Sequence, residues 1–203
     1  MADAALLLDL SRRVAALEAL SHTVQHSFDL STSAKPVSRV ARAVSGLPGS
    51  ALVRVPKDYY SRPLRERATL LRAPLEALCK TLIYENRGDG PRFIAVIVQY
   101  ISRVDTSALS RALSLPGRAR ADFALCADGE RVSGFGHGSV APFGLLTEMP
   151  LIASADAVKA GAVLWLGGGA VDVKLRVFTG PLARVARVLP VSVPRGVDDD
   201  DAD

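Results

Sequence analysis

The sequence predicts a mixed α/β fold: six or seven strands interleaved with few helices, in a mixed sheet that can close on itself, plus an N-terminal helix set apart from it. Three observations point there. Apolar residues make up 49% of the 203, enough to bury a sizeable core in one domain. The apolar stretches are short and rich in β-branched residues, as in Ile94, Val96, Ile97 and Val98. Turn signals fall between them, among them Asn86-Arg87-Gly88-Asp89-Gly90 and Pro116-Gly117.

Residues 4–28 read as one long helix, because Leu7, Leu10, Val14, Leu17, Val24 and Phe28 recur at spacings of three and four, with Ser21 in the one polar seam position. Such a stripe packs either on its own domain or on a second copy or partner. Residues 31–50 turn to Ser, Pro, Gly and Ala and read as a connector, with a short basic helix available over 37–44. Seven strands are then expected over 52–55, 81–84, 92–101, 122–127, 149–153, 162–166 and 171–177. Between them fall a helix over 64–78 interrupted at Pro74, and a helix from Asp105 or Thr106 to Leu115. A glycine-rich loop occupies 134–144, and a last helix covers 180–188. No segment repeats internally.

Composition excludes several classes. The longest apolar runs, 93–98 and 162–166, fall far short of the roughly 18 residues of a membrane span. Asp3 and Asp9 stand where a secretory signal is positive, and Arg12 and Arg13 interrupt the apolar run. Cys79 and Cys126 cannot form a disulfide framework or a four-ligand zinc site, and read as reduced thiols of a cytoplasmic protein. The formal charge of +4 conceals an asymmetry. Five of the last six residues are Asp; without them 25 basic residues face 16 acidic ones, a body of +9. That balance suits either an Arg-rich solvated surface or a polyanionic partner.

Most catalytic signatures are missing. There is no nucleophile elbow and no phosphate loop of the Walker type. His22 and His26 lie four apart on the N-terminal helix, a spacing that decorates helices far more often than it binds metal. Neither a metal nor a cofactor is expected. Gly134-Phe135-Gly136-His137-Gly138-Ser139 imitates a dinucleotide fingerprint, but Ser139 takes the third glycine position and Pro142 follows where a helix should open. A loop of small residues remains, 138–144 around Pro142, whose backbone N–H groups either form a plain turn or converge on an anion or carbonyl oxygen. Lys80, at the mouth of an apolar strand, is either a snorkelling surface residue or a phosphate contact. Trp165 precedes Gly167-Gly168-Gly169 and reads as core or pocket wall.

Three segments, in this order and spacing, carry a resemblance: Leu78-Cys79-Lys80-Thr81-Leu82, then Gly134 to Gly144 with its Gly138-Ser139-Val140-Ala141-Pro142-Phe143 centre, then Trp165-Leu166-Gly167-Gly168-Gly169-Ala170-Val171-Asp172-Val173-Lys174-Leu175. Over about residues 52–190 the chain resembles the YbaK family, the domain associated with prolyl-tRNA synthetase that edits mischarged tRNA. Tyr59-Tyr60, Arg67 and the Trp-Leu-Gly-Gly-Gly strand look like a stand-alone eukaryotic-type branch.

The resemblance implies an α/β fold with a compact mixed, largely antiparallel barrel-like sheet and flanking helices, a pocket at the Gly-Pro loop, and hydrolysis of the ester joining a wrong amino acid to the terminal adenosine of tRNA. It implies catalytic roles for Gly138, whose N–H would hold the carbonyl oxygen, and for Lys80, which matches the family lysine at the acceptor end. Substrate contacts would come from His137, Ser139, Val140, Ala141, Pro142, Phe143, Gly144, Trp165, Gly167 and Gly168. The implied partner is the acceptor end of mischarged tRNA, with an aminoacyl-tRNA synthetase or a second copy as candidates for the N-terminal helix. The chain then divides into a helix over 1–30, a linker over 31–50, an editing domain over 51–192 and an acidic, disordered tail over 193–203. Ser139, Ala141, Ser154 and Trp165 depart from the common family pattern, so selectivity for one amino acid is not inherited.

Overall fold

The computed structural model describes residues 35–114 and 120–195. The predicted N-terminal helix, Pro116-Gly117 and the acidic run from Asp198 lie outside them.

Helix α1 (Pro36–Ala43) starts on a proline, whose fixed φ suits the first helical turn and whose missing N–H is no loss there. It lies in the segment read as a connector, yet its Val40 is fully buried. Strand β1 (Ala51–Arg54) and a 3₁₀ turn at Tyr59–Ser61 follow. Helix α2 (Leu64–Leu71) stops short of Pro74, as the sequence predicts, and a second 3₁₀ turn covers Leu75–Ala77. Strands β2 (Cys79–Asn86) and β3 (Phe93–Gln99) pair antiparallel, with Cys79 opposite Gln99 and Glu85 opposite Phe93. Strand β4 (Ser102–Val104) leads to α3 (Thr106–Leu113), capped by Asp105, whose carboxylate accepts from the Ala108 N–H at 2.9 Å. Strand β5 (Phe123–Leu125), helix α4 (Gly129–Ser133), strand β6 (Leu151–Ser154) and helix α5 (Ala155–Lys159) come next. The antiparallel pair β7 (Val163–Ala170) and β8 (Val173–Phe178), helix α6 (Thr179–Val185), and strands β9 (Arg187–Leu189) and β10 (Ser192–Pro194) complete the described chain.

Three sheets result: β5-β2-β3-β6-β9, β1-β8-β7 and β10-β4. Five pairings are antiparallel; only β3-β6 and β6-β9 are parallel, so the sheet is mixed and largely antiparallel, as expected. The expected barrel closure is too strong a description. A single bridge, Leu78 to Trp165, joins the two larger sheets where a closed barrel needs a full ladder, and β5 and β9 remain as edges. Among the described residues ten strands form rather than six or seven; β4, β9 and β10 have three residues each, too few to show a period.

The main core lies between the larger sheets. Cys79, Ile97 and Ala153 from one meet Leu164, Leu166, Leu175 and Val177 from the other, with Val40 and Val44 closing one side. A second cluster covers the opposite face of the five-stranded sheet, where Leu109 of α3 meets Ile94, Val96 and Ile152. Ser154, a departure from the family pattern, is fully buried and caps α5 by accepting from the Ala157 N–H at 3.2 Å. Asp156 faces elsewhere, accepting from the Ser192 hydroxyl at 2.8 Å.

Candidate functional site

The loop between α4 and β6 is held by α1 at its ends and by β7 beneath it. Arg39 of α1 donates through Nη2 to the Gly134 carbonyl at 2.7 Å and through Nε to the Gly144 carbonyl at 3.0 Å, and lies over the Phe135 ring at 4.9 Å. One guanidinium thus pins both ends of the loop, a geometry its planar fork suits. Burial makes that charge harder to hold, and the Arg39 pKa falls accordingly. Beneath the loop, Gly169 donates to the Ser139 carbonyl at 3.1 Å. A Cβ on Gly167 would run into the Val140 carbonyl oxygen. The glycines of β7 therefore serve close approach of strand to loop, and a bulge between Gly167 and Ala170 accommodates it.

Within the loop, Gly138 has φ +71°, a left-handed conformation that an L side chain resists. The Ser139 N–H and hydroxyl both donate to the Gly136 carbonyl, at 3.1 and 2.7 Å. The His137 N–H donates to Glu130 Oε1 at 2.7 Å, and its side chain is exposed. Pro142 has no N–H to offer. Among the described residues, no acceptor is spent on the N–H groups of Gly138, Val140 or Ala141. The N–H groups of Phe143 and Gly144 at the far end of the loop are likewise unspent among the described residues, and of the 138–144 donors only that of Ser139 is used within the protein. Ser139, Ala141 and Pro142 are buried, whereas Gly138, Val140, Phe143 and Gly144 are partly exposed.

Beside the loop stands a cluster in which sequence reasoning gave site roles to Lys80 and Trp165 but none to Tyr60, Arg67, Tyr100 or Lys174. A Cβ built on Gly138 would lie 3.8–3.9 Å from Cζ, Cε1 and Cε2 of Tyr60, so the phenolic end of Tyr60 stands over this glycine. Lys174 Nζ donates to the Tyr60 hydroxyl at 2.9 Å and lies 4.9 Å from the centre of its ring and 5.2 Å from that of Tyr59. Arg67 donates to the Tyr60 carbonyl at 2.8 Å and to the Arg62 carbonyl at 2.7 Å. Its guanidinium sits 5.2 Å from the Tyr60 ring centre and 5.8 Å from that of Tyr100. Lys80 reaches the same Tyr100 ring at 5.5 Å. Trp165 packs into the apolar part of this cluster with Tyr59, Tyr60 and Tyr100. The structure thus links Gly138, Tyr60, Arg67, Tyr100 and Lys80 in one chain of contacts, with Lys174 and Trp165 alongside.

The cluster is cationic and aromatic. None of the ion pairs among the described residues involves Arg67 or Lys174. Lys174 is 1% exposed, an unusual burial for a lysine that has no carboxylate beside it. Burial raises the Tyr59 pKa well above the usual phenol value, with Tyr60 adding to the shift and Arg67 opposing it, so Tyr59 stays neutral. Burial also pushes the Cys79 thiol up to about 12, against the pull of Lys174, so this cysteine is no thiolate nucleophile at neutral pH. No group of three or more His, Cys, Asp or Glu side chains is placed to hold a metal among the described residues. Two surface depressions, of about 640 Å³ beside Arg65, Thr69 and Arg72 and about 330 Å³ beside Thr106, Ser110 and Arg120, are lined by neither the glycine loop nor Lys80.

One signal for the missed cluster was available in the sequence. Val173, Leu175 and Val177 alternate with Lys174 and Arg176, which reads as a half-buried strand turning its basic residues to water. Tyr59 and Tyr60, which follow the neighbouring strand β1, cover that second face instead.

The chain matches the aminoacyl-tRNA editing domain family over residues 62–185. Comparison with curated proteins gave no match. Among solved structures, a candidate trans-editing enzyme for prolyl-tRNA synthetase aligns with TM-score 0.63 and 20% identity, over 79% of this chain and 98% of that one. A structure from work on grafting epitopes onto scaffold proteins aligns with TM-score 0.64 and 20% identity, over 79% and 98%. The hypothetical protein APE2540 aligns with TM-score 0.61 and 20% identity, over 76% and 99%. At these identities the structural matches speak for the fold alone. The sequence match spans more than half of the chain and contains Lys80, the Gly138–Pro142 loop and Lys174, and on that ground the protein belongs to the aminoacyl-tRNA editing domain family.

Proposed function

We propose that the protein is a trans-editing hydrolase that deacylates mischarged aminoacyl-tRNA. The observation that carries this reading is the Gly138 loop: its N–H groups at Gly138, Val140 and Ala141 have no acceptor among the described residues, and they stand beside the cationic cluster. The resemblance of the fold to a candidate trans-editing enzyme supports it.

An aminoacyl ester is already activated, so a strong side-chain nucleophile is not needed. In the proposed reaction a water, held beside the carbonyl with the help of the tRNA's free ribose hydroxyl, attacks the carbonyl carbon; the bond to the ribose oxygen breaks, and that oxygen takes up the proton the water gives up. The carbonyl oxygen takes up charge against the Gly138 N–H. One such donor is worth on the order of 10²–10³ in rate. Lys80 contacts phosphate or ribose at the acceptor end as a mobile point charge. The basic body docks the rest of the acceptor stem through phosphates, without reading its sequence.

The test is a panel of mischarged tRNAs incubated with purified protein. Release of amino acid from at least one, reduced sharply in Lys80→Ala, is the expected result. Salt-sensitive tRNA binding without release from any tRNA would instead leave a binding module.

A further inference from the structure

We propose that Tyr60 is a second oxyanion donor of this site and that Lys174 is the positioning residue that aims it. The inference rests on the editing reading above and adds to it a side chain and a direction.

The direction follows from what each group can do. An ammonium only donates, so in the 2.9 Å contact between Lys174 Nζ and the Tyr60 hydroxyl, the phenolic oxygen accepts. Its own hydrogen then points elsewhere, and among the described residues it has no acceptor. The phenolic end lies against Gly138, whose N–H is likewise unspent. Two unspent donors, one backbone and one side chain, are therefore carried by residues that pack against each other.

The tyrosine is held firmly. Arg67 donates to its carbonyl at 2.8 Å and lies over its ring, and Tyr59 meets that ring edge-on, with centroids 5.3 Å apart and planes at 85°. Lys174 is buried in the sheet and stays in hydrogen-bond reach of the phenol. A buried cation with no carboxylate beside it costs stability unless it is used. Here it serves two ends: it fixes the rotation of the O–H, and it makes the phenol a stronger donor. As the ester carbonyl carbon is attacked, the π electron pair moves onto its oxygen. Tyr60 O–H and Gly138 N–H hold that charge, and both keep their protons. The pair returns as the bond to the ribose oxygen breaks, and that oxygen leaves with the proton given up by the attacking water.

Deacylation kinetics of the full chain test this, using whichever mischarged tRNA the wild type hydrolyses. Tyr60→Phe keeps the ring and removes the donor; kcat, read at a temperature where the variant is fully folded, should fall by roughly 10–100-fold with KM within about twofold, and the melting temperature should fall as Lys174 loses its hydrogen-bond partner. Lys174→Met should lower kcat by less. In the Tyr60→Phe background, Lys174→Met should cost nothing further, because its effect passes through the phenol; a structural lysine would cost the same in both backgrounds. A wild-type rate in Tyr60→Phe overturns the proposal and leaves the editing reading standing. If the wild type hydrolyses no mischarged tRNA, binding of an amide-linked aminoacyl-adenosine decides between the outcomes: weaker binding by Tyr60→Phe supports the donor, and equal or absent binding overturns it.

Discussion

The two glycine-rich segments look alike in sequence and do opposite work. In β7, the glycines exist for contact: Gly167 lets the Val140 carbonyl approach, and Gly169 spends its N–H on Ser139. In the loop, Gly138 exists for conformation, and its N–H stays unspent. The strand glycines hold the loop in place, and the loop glycine is the centre of the site we propose. The lesson is that a glycine's role is read from where its N–H goes and what a Cβ would meet.

The largest expected effect breaks the first role. Gly167→Ala drives a methyl into the Val140 carbonyl, and should cost about 3 kcal/mol, the upper end of usual overpacking. Thermal melting measures it, and loss of deacylation should accompany it. Next comes the clamp that holds the loop ends. Arg39→Ala removes two hydrogen bonds from a charged group and should cost about 2 kcal/mol in denaturant unfolding. Arg39→Lys should recover little of it, because an ammonium lacks the fork.

Gly138→Ala breaks the second role. The new methyl has room against Tyr60, so the cost is the left-handed backbone alone, about 1 kcal/mol. Activity should fall far more than stability, by roughly a hundredfold, if relaxation of the loop misplaces the donors by even 1 Å. Comparing melting with turnover for Gly138→Ala and Gly167→Ala separates the two roles directly.

Smaller effects lie in the core beneath. The Cys79 thiol is raised to about 12 in the fold, so the native state keeps a proton that the unfolded chain loses from about pH 9 upward. Its contribution to stability is complete below that pH and declines as pH rises toward 12. Urea midpoints between pH 8 and 11 should fall more steeply for the wild type than for Cys79→Ala. The smallest change is expected at Thr81, whose buried Oγ1 has no partner among the described residues. Thr81→Val should be neutral or stabilising by about 1 kcal/mol.

Much of this was legible beforehand. Ile94 to Val98 announced β3, Pro74 marked the stop after α2, and Asp105 supplied the cap of α3. The Gly138 loop was legible because glycine, proline and small residues crowd together there, and a segment so poor in reactive side chains has chiefly its backbone to offer. The Tyr60–Lys174 contact was not legible, since it joins residues 114 positions apart and depends on which face of β8 the chain after β1 covers. Nor was Arg39, whose partners are carbonyls and leave no mark on residue type.

The central claim is that this site hydrolyses an activated ester with backbone donors and cations rather than a side-chain nucleophile. Amino-acid release from mischarged tRNA, measured for the wild type, Cys79→Ala, Cys126→Ala and Gly138→Ala, tests it most directly. The account predicts turnover of at least one mischarged tRNA that survives both cysteine substitutions and collapses in Gly138→Ala. Turnover lost in a stably folded cysteine variant, or untouched in Gly138→Ala, would contradict it.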